Sequence, residues 1–80
     1  MGVFIRFGDG REYAAADWDG VLTLIRTDTI FDPPSTNAAY KAGVQLRVGQ
    51  FSGDWLDVAS AEKFLRDMHR IGLITEIKET

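Results

Sequence analysis

Residues 16–21 read ADWDGV, and two aspartates one residue apart before a glycine are the sharpest chemical lead in the chain. One chemistry that uses such a pair is phosphoryl transfer, with Asp17 as nucleophile, Asp19 as acid/base and magnesium beside them. It needs a buried parallel strand ending at the first aspartate, then loops that carry a lysine and a further acidic metal ligand. Residues 13–16, Tyr-Ala-Ala-Ala, make a poor buried strand, and 80 residues leave no room for the doubly wound sheet that supports the rest. The other chemistry is calcium binding in an EF-hand loop, whose sixth residue is an obligatory glycine. With Gly20 at that place, the first ligand position falls on Ala15 and the last, which requires a glutamate, on Arg26. One has no donor atom and the other is a cation, so this pattern fails too. What the pair fits is architecture. Asp17 is placed to cap a helix, Asp19 to complement the positive end of its dipole, and Trp18 to fold back over the preceding hairpin from the first helical position.

The remaining reactive residue types are sparse. His69 is the only histidine, between Met68 and Arg70, with no metal-ligand partner at helical spacing. It reads as a satisfied or solvated side chain at the edge of an apolar stripe. Ser35, Ser52 and Ser60 fall in turns and caps, and no G-x-S-x-G elbow surrounds them. FGDG, residues 7–10, lacks the glycine spacing of a dinucleotide loop and leads into a strand. Lys63, Arg66 and Arg70 form a basic strip interrupted by Glu62 and Asp67, the pattern of a solvated helix face. The sequence therefore offers no catalytic residues, no metal ligands and no cofactor site, and its reading is non-enzymatic.

Composition narrows the class. Residues 1–80 make a single domain. A chain this short buries only roughly 60% of its unfolded surface, so stability depends on a well-packed core. No cysteine is present to supply a disulfide or a thiolate site, whereas 45% of the residues are hydrophobic. Nine basic against twelve acidic residues give a net charge of −3. That balance argues against a general nucleic-acid binder, whose affinity rests on neutralising phosphates. No apolar run reaches the length of about 18 residues that suggests a membrane span. The first residues show neither the apolar core of a signal peptide nor a complete myristoylation motif, because Arg6 stands where serine or threonine is needed. The expectation is a cytoplasmic domain without membrane contact.

Local signals set out the elements. Val3–Phe7 is β-branched and aromatic and reads as a strand, Gly8-Asp9-Gly10 as a tight hairpin turn, and residues 11–14 as the return strand. Asp17 opens a first helix with Val21, Leu22, Leu24 and Ile25 at helical spacing, ending between residues 27 and 29. IFDPPST, residues 30–36, is an extended link because consecutive prolines forbid helix. Ser35 or Thr36 caps a second helix over residues 36–50. Tyr40, Val44, Val48 and Phe51 follow a helical face there, although Val44, Leu46 and Val48 also alternate as a strand would. Ser52-Gly53-Asp54 is a turn and residues 55–58 a short strand. Ser60 caps a third helix with Lys63 at its N3 position and Phe64, Leu65, Met68 and Ile71 as its buried stripe. Gly72 suits its C′ position, and residues 73–77 make a final strand, placed at a sheet edge, before a solvated KET tail. Gly10, Asp17 and Val21-Leu22 recur as Gly53, Ser60 and Phe64-Leu65 at identical offsets, which reads either as repeated use of a strand–helix unit or as duplication. The expected fold class is α+β: a small, mostly antiparallel sheet, from an N-terminal hairpin plus C-terminal strands, with about three helices packed on one face.

Three stretches, RFGDGREYAAADWDGVLTLIR, PPSTNAAYKAGVQLRVGQFSG and SAEKFLRDMHRIGLI, carry a resemblance. In that order the chain resembles small uncharacterised proteins of bacteria, bacteriophages and mobile genetic elements. The matching positions are Asp9, Gly10 and Tyr13, then Tyr40, Gly43 and Val44, then Glu62, Phe64, Leu65, Gly72, Leu73 and Ile74, with Met68 standing where leucine is usual. The resemblance implies no catalytic residues and favours helix for the central segment. The functional expectation is a protein-binding accessory module acting on a host protein complex, with Trp18, Asp19, Asp54 and Trp55 as candidate contact residues, since tryptophan is a frequent interface anchor. The alternatives are a small transcriptional regulator touching nucleic acid through its third helix, and a homo-oligomer formed through an exposed sheet edge.

Overall fold

In the computed structural model, which describes residues 2–28 and 36–80, six elements follow one another. They are β1 (Val3–Phe7), β2 (Glu12–Ala15), α1 (Trp18–Thr27), α2 (Asn37–Ser52), α3 (Ala61–Arg70) and β3 (Ile74–Glu79). The fold is α+β. β1 is central in an antiparallel sheet of order β2-β1-β3, so β3 is an edge strand, as expected. The proline-bearing link and Ser35 lie outside the described residues.

The hairpin closes as its residues dictate. Asp9 Oδ1 accepts from the Arg11 N–H at 3.1 Å, Gly10 takes a φ of 93°, and the Phe7 N–H donates to the Arg11 carbonyl at 2.8 Å. That last bond makes Arg11 part of the turn, and the return strand begins one residue later than expected.

Alternation then sorts the sheet. Val3, Ile5 and Phe7 of β1, Tyr13 of β2 and Ile74 of β3 are buried beneath the helices. The other face is polar. Arg6 sits between Glu12 and Glu76 of the two flanking strands, at 2.8 and 3.2 Å. Phe4 lies under the cations of Arg6 and Lys78, at 5.6 and 5.7 Å. Glu76 Oε1 is shielded and has no hydrogen-bond partner among the described residues, but Arg6 and Lys78 at 3.2 and 3.7 Å neutralise it. Such half-exposed pairs contribute about 0–1 kcal/mol each, so they specify register more than they stabilise. Because Val3 pairs with Glu79, β3 runs two residues past its predicted end and takes in Lys78 and Glu79, whose side chains stay exposed.

α1 and α3 supply most of the helical core. Val21, Leu22 and Ile25 face in from α1, but Leu24, expected with them, is 42% exposed. Phe64, Leu65 and Met68 are buried in α3, and Ile71 is half-buried just past its end. A Gly72 φ of 91° lets Leu73 N–H reach the Met68 carbonyl at 2.9 Å and Gly72 N–H the His69 carbonyl at 3.1 Å, the Schellman closure expected of that glycine.

The central segment is helical throughout. Thr36 Oγ1 caps it by accepting from the Ala39 N–H at 3.1 Å. Val44 is buried, with Tyr40 and Val48 packed partly against the core, and the Tyr40 ring meets Phe64 edge-on at 6.3 Å. Phe51 is a correction. It continues that inward line one turn further yet is 88% exposed, because the helix overhangs the end of the core.

Residues 55–58 are the second correction: they form a loop. A strand needs a neighbouring strand to bond, and here the N–H groups of Leu56 and Asp57 are given to the Gln45 and Asp67 side chains of α2 and α3.

Candidate functional site

The sequence motif ADWDGV resolves into a helix start. Asp17 takes an extended backbone, and its Oδ1 accepts from the Gly20 N–H at 2.7 Å. A Cβ on Gly20 would meet the Ala15 Cβ at 2.9 Å and Asp17 Oδ1 at 3.0 Å. The glycine is therefore required by the close approach of β2 to α1, not by an ion. Asp19 is exposed in the first turn of α1, where its charge complements the helix dipole. Trp18 is half-buried against the core. It lies over the open end of the hairpin, in a crevice shared with Val3, Ala16 and Glu79, and the Arg66 guanidinium stacks over its ring at 4.9 Å.

Trp55 is in the opposite situation: 68% of it is exposed. The loop that displays it is nevertheless held at several points. Leu56 N–H donates to Gln45 Oε1 of α2, Asp57 N–H donates to Asp67 Oδ2 of α3 at 2.8 Å, and Arg70 donates to the Trp55 carbonyl at 2.8 Å. Between these bonds the Leu56 side chain is fully buried. Backbone groups that a strand would satisfy through a ladder are satisfied here by side chains from two helices. The result is a large aromatic ring in water on a backbone with little freedom left to lose.

Beside Trp55, the outward side of α2 carries no charge over Ala38, Ala42, Leu46 and Gly49, and Leu46 is 63% exposed. Ala42, Leu46, Gly49, Trp55 and Val58 line a shallow groove of about 420 Å³. A second groove of about 450 Å³ lies on the other side of the helix, where Val48, Phe51, Ile71 and Leu73 meet between Arg47 and Asp54. Of the four residues singled out by sequence, Trp55 belongs to the first groove and Asp54 to the second. Trp18 and Asp19 line neither.

Sequence reasoning missed Leu46, Phe51 and Leu73 as exposed apolar residues. The available signal was the second helix itself, whose apolar residues occupy more than one face, whereas a surface helix ordinarily has one apolar stripe.

The two arginines and the histidine of α3 are committed to neighbours. Arg66 pairs with Glu62 at 2.9 Å and with Glu79, which raises its pKa further, chiefly through the Glu62 hydrogen bond. Arg70 reaches Asp67 at 3.4 Å as well as the Trp55 carbonyl. His69 Nδ1 lies 2.7 Å from the Ile74 carbonyl oxygen, so that nitrogen carries the proton and donates. Among the described residues, no three His, Asp or Glu side chains are grouped to hold a metal ion, and no helix is long and apolar enough to cross a membrane. No protein-family model, curated protein or solved structure matches the chain.

Proposed function

We propose that this chain is a non-enzymatic protein-binding module whose contact surface centres on Trp55 and the groove between that residue and α2. The observation that carries the reading is Trp55 itself, 68% exposed on a loop tied to Gln45, Asp67 and Arg70. A loop backbone held in place before binding gives up little conformational freedom on contact, and tryptophan is enriched among residues that dominate interfaces. The uncharged stripe of Ala42, Leu46 and Gly49 beside it allows close approach of a partner backbone. An accessory role against a host complex, of the kind small phage and mobile-element proteins play, rests on the sequence resemblance alone and is the finer part of the proposal.

Regulation of transcription through α3 draws less support. The chain carries a net charge of −3, and Arg66 and Arg70, the guanidinium groups that reading needs, are engaged by carboxylates and a carbonyl.

The test is capture of partners on immobilised wild-type, Trp55→Ala and Arg11→Ala chains, each verified as folded by circular dichroism. A hot-spot tryptophan contributes about 2 kcal/mol or more, so Trp55→Ala should weaken the retained complex by about thirtyfold, with Arg11→Ala unchanged. Equal capture by wild type and Trp55→Ala would overturn the assignment of the surface. Salt-sensitive binding of duplex DNA with no retained protein would overturn the class.

A further inference from the structure

Across the polar face of the sheet one row of residues alternates in charge. Glu12 of β2, Arg6 of β1 and Glu76 of β3 stand opposite one another, with Arg6 2.8 and 3.2 Å from the two carboxylates. The neighbouring row ends on Lys78, opposite Phe4, and the row between them, on the helical face, runs Tyr13, Ile5, Ile77. All three rows stop at β3, which is an open edge. The Gly2 N–H donates to the Thr80 carbonyl at 3.0 Å and the Thr80 N–H to the Gly2 carbonyl at 2.9 Å. Bonded pairs alternate along an antiparallel ladder, so Glu76 and Lys78 turn their backbone groups toward Arg6 and Phe4, and Ile77 and Glu79 turn theirs away from β1. No described residue bonds to these outward groups. On the helical side of the edge a cleft of about 430 Å³ is lined by Arg66, His69, Ile77 and Glu79. The register shift between Arg6 and Phe7 ends the regular edge at Thr75.

We infer that this edge takes an extended segment of another protein as an antiparallel fourth strand, one that reads acidic, apolar, basic from its N-terminal to its C-terminal side. The three rows set that order. Opposite Glu76, the alternation of Glu12, Arg6 and Glu76 continues with a cation. Opposite Lys78, whose side chain is exposed, a carboxylate makes the favourable cross-strand pair. Opposite Ile77, an apolar side chain covers what the core leaves half-buried and enters the cleft. An antiparallel strand runs the other way, so the residue facing Lys78 comes first and the one facing Glu76 last. Ile77 and Glu79 then exchange N–H and carbonyl bonds with the residues opposite them. This is strand addition, in which the main chain supplies affinity and alternate side chains supply selectivity. The packing of the helices disfavours a second copy of this chain offered edge to edge. α3 lies against β3, and two β3 strands paired about 5 Å apart would bring their α3 helices equally close, whereas packed helices stand about 8–10 Å apart. A lone strand carries no such layer. The edge shares no residue with the Trp55 groove, so this inference goes beyond the proposed function and stands or falls without it.

The test is an NMR titration of the isotopically labelled full chain with two capped peptides, Thr-Glu-Val-Lys-Thr and its charge-exchanged twin Thr-Lys-Val-Glu-Thr. The first should shift the Ile77 and Glu79 amide signals and slow their exchange with solvent. It should also bind about tenfold more tightly than the twin, which sets like charges opposite each other in both outer rows. Lys78→Glu, a change at an exposed site with the fold verified by circular dichroism, should turn the preference toward Thr-Lys-Val-Lys-Thr. Methylating the valine nitrogen of the first peptide removes the donor to the Ile77 carbonyl and should weaken binding at least about tenfold. Absence of binding, equal binding of the twins, indifference to the methyl group, or shifts that leave Ile77 and Glu79 unmoved would each overturn the inference. Protection of those two amides that grows with protein concentration in the absence of peptide would overturn it as well, because a second copy would then be the occupant. Capture of a protein through Trp55 by a chain that binds neither peptide would leave the proposed function standing.

Discussion

Residues 10–28 and 53–71 begin and end alike and differ in the middle. Gly10 and Gly53 both hold positive φ, 93° and 74°. Asp17 and Ser60 both take an extended backbone and cap by accepting the N–H three residues on, from Gly20 and Lys63. α1 and α3 are each ten residues long, and Tyr13 and Leu56, at corresponding places before the caps, both turn into the core. Yet residues 12–15 are a strand and residues 55–58 are a loop. Caps and helices are decided within a few residues, by a side-chain oxygen and an apolar stripe. A strand is decided by where its backbone groups find partners: residues 12–15 pair with β1, whereas Leu56 and Asp57 give their N–H groups to the side chains of Gln45 and Asp67. The segment left over keeps its core anchor, Leu56, and turns Trp55, which corresponds to Glu12, out into water.

The largest effects should come from the anchors of the loop. Leu56→Ala removes a fully buried side chain and should cost about 2–5 kcal/mol in urea denaturation. Gln45→Ala deprives the Leu56 N–H of its acceptor and should cost about 1–3 kcal/mol. A loss near zero for both would mean that the loop is not an anchored counterpart of β2 but a loose connection, and the comparison between the halves would break there.

The caps come next. Asp17→Ala and Ser60→Ala should destabilise by similar amounts, about 0.5–2 kcal/mol each, measured the same way. Asp17→Asn should retain most of the stability, since asparagine caps as well as aspartate. A large loss in Asp17→Asn would return the carboxylate charge to the centre of the ADWDGV question.

These same contrasts explain how much was legible beforehand. The three helices, their caps and the Gly72 closure could be read because their signals are local: Asp17, Thr36, Ser60 and Gly72 each act within one turn. The hairpin was legible from Gly8-Asp9-Gly10 for the same reason. The strand expected at residues 55–58 failed because its fate was settled by tertiary contacts, in which side chains of Gln45, Asp67 and Arg70 on two helices take its backbone groups. Phe51 failed similarly, since periodicity describes a helical face but not where the core beneath it ends. At the candidate surface, Trp55 was legible as a residue type. Its neighbour Leu46, and Leu73 in the groove on the other side of the helix, became visible only when α2 was seen to overhang.

The smallest effect isolates what the first half has and the second lacks. Tyr13 OH donates to Asp28 Oδ2 at 2.6 Å while its ring meets Phe7 edge-on at 5.9 Å; Leu56, its counterpart, can make no such bond. Tyr13→Phe keeps the ring contact and should cost only about 0.5–1.5 kcal/mol at neutral pH. Burial first, and then the bond to Asp28, raise the Tyr13 pKa above its ordinary 10.0. The folded chain thus holds this proton more tightly than the unfolded chain does. The corresponding stability is present in full below pH 10.0 and is lost as pH rises through the folded pKa. Burial raises the Tyr40 pKa as well, so the phenylalanine variant should still weaken in alkali, but less steeply than wild type, and the gap between the two should narrow above pH 10.0. Parallel curves for the two proteins would mean that the Tyr13 hydroxyl titrates alike folded and unfolded, leaving the two halves equivalent at this position as well.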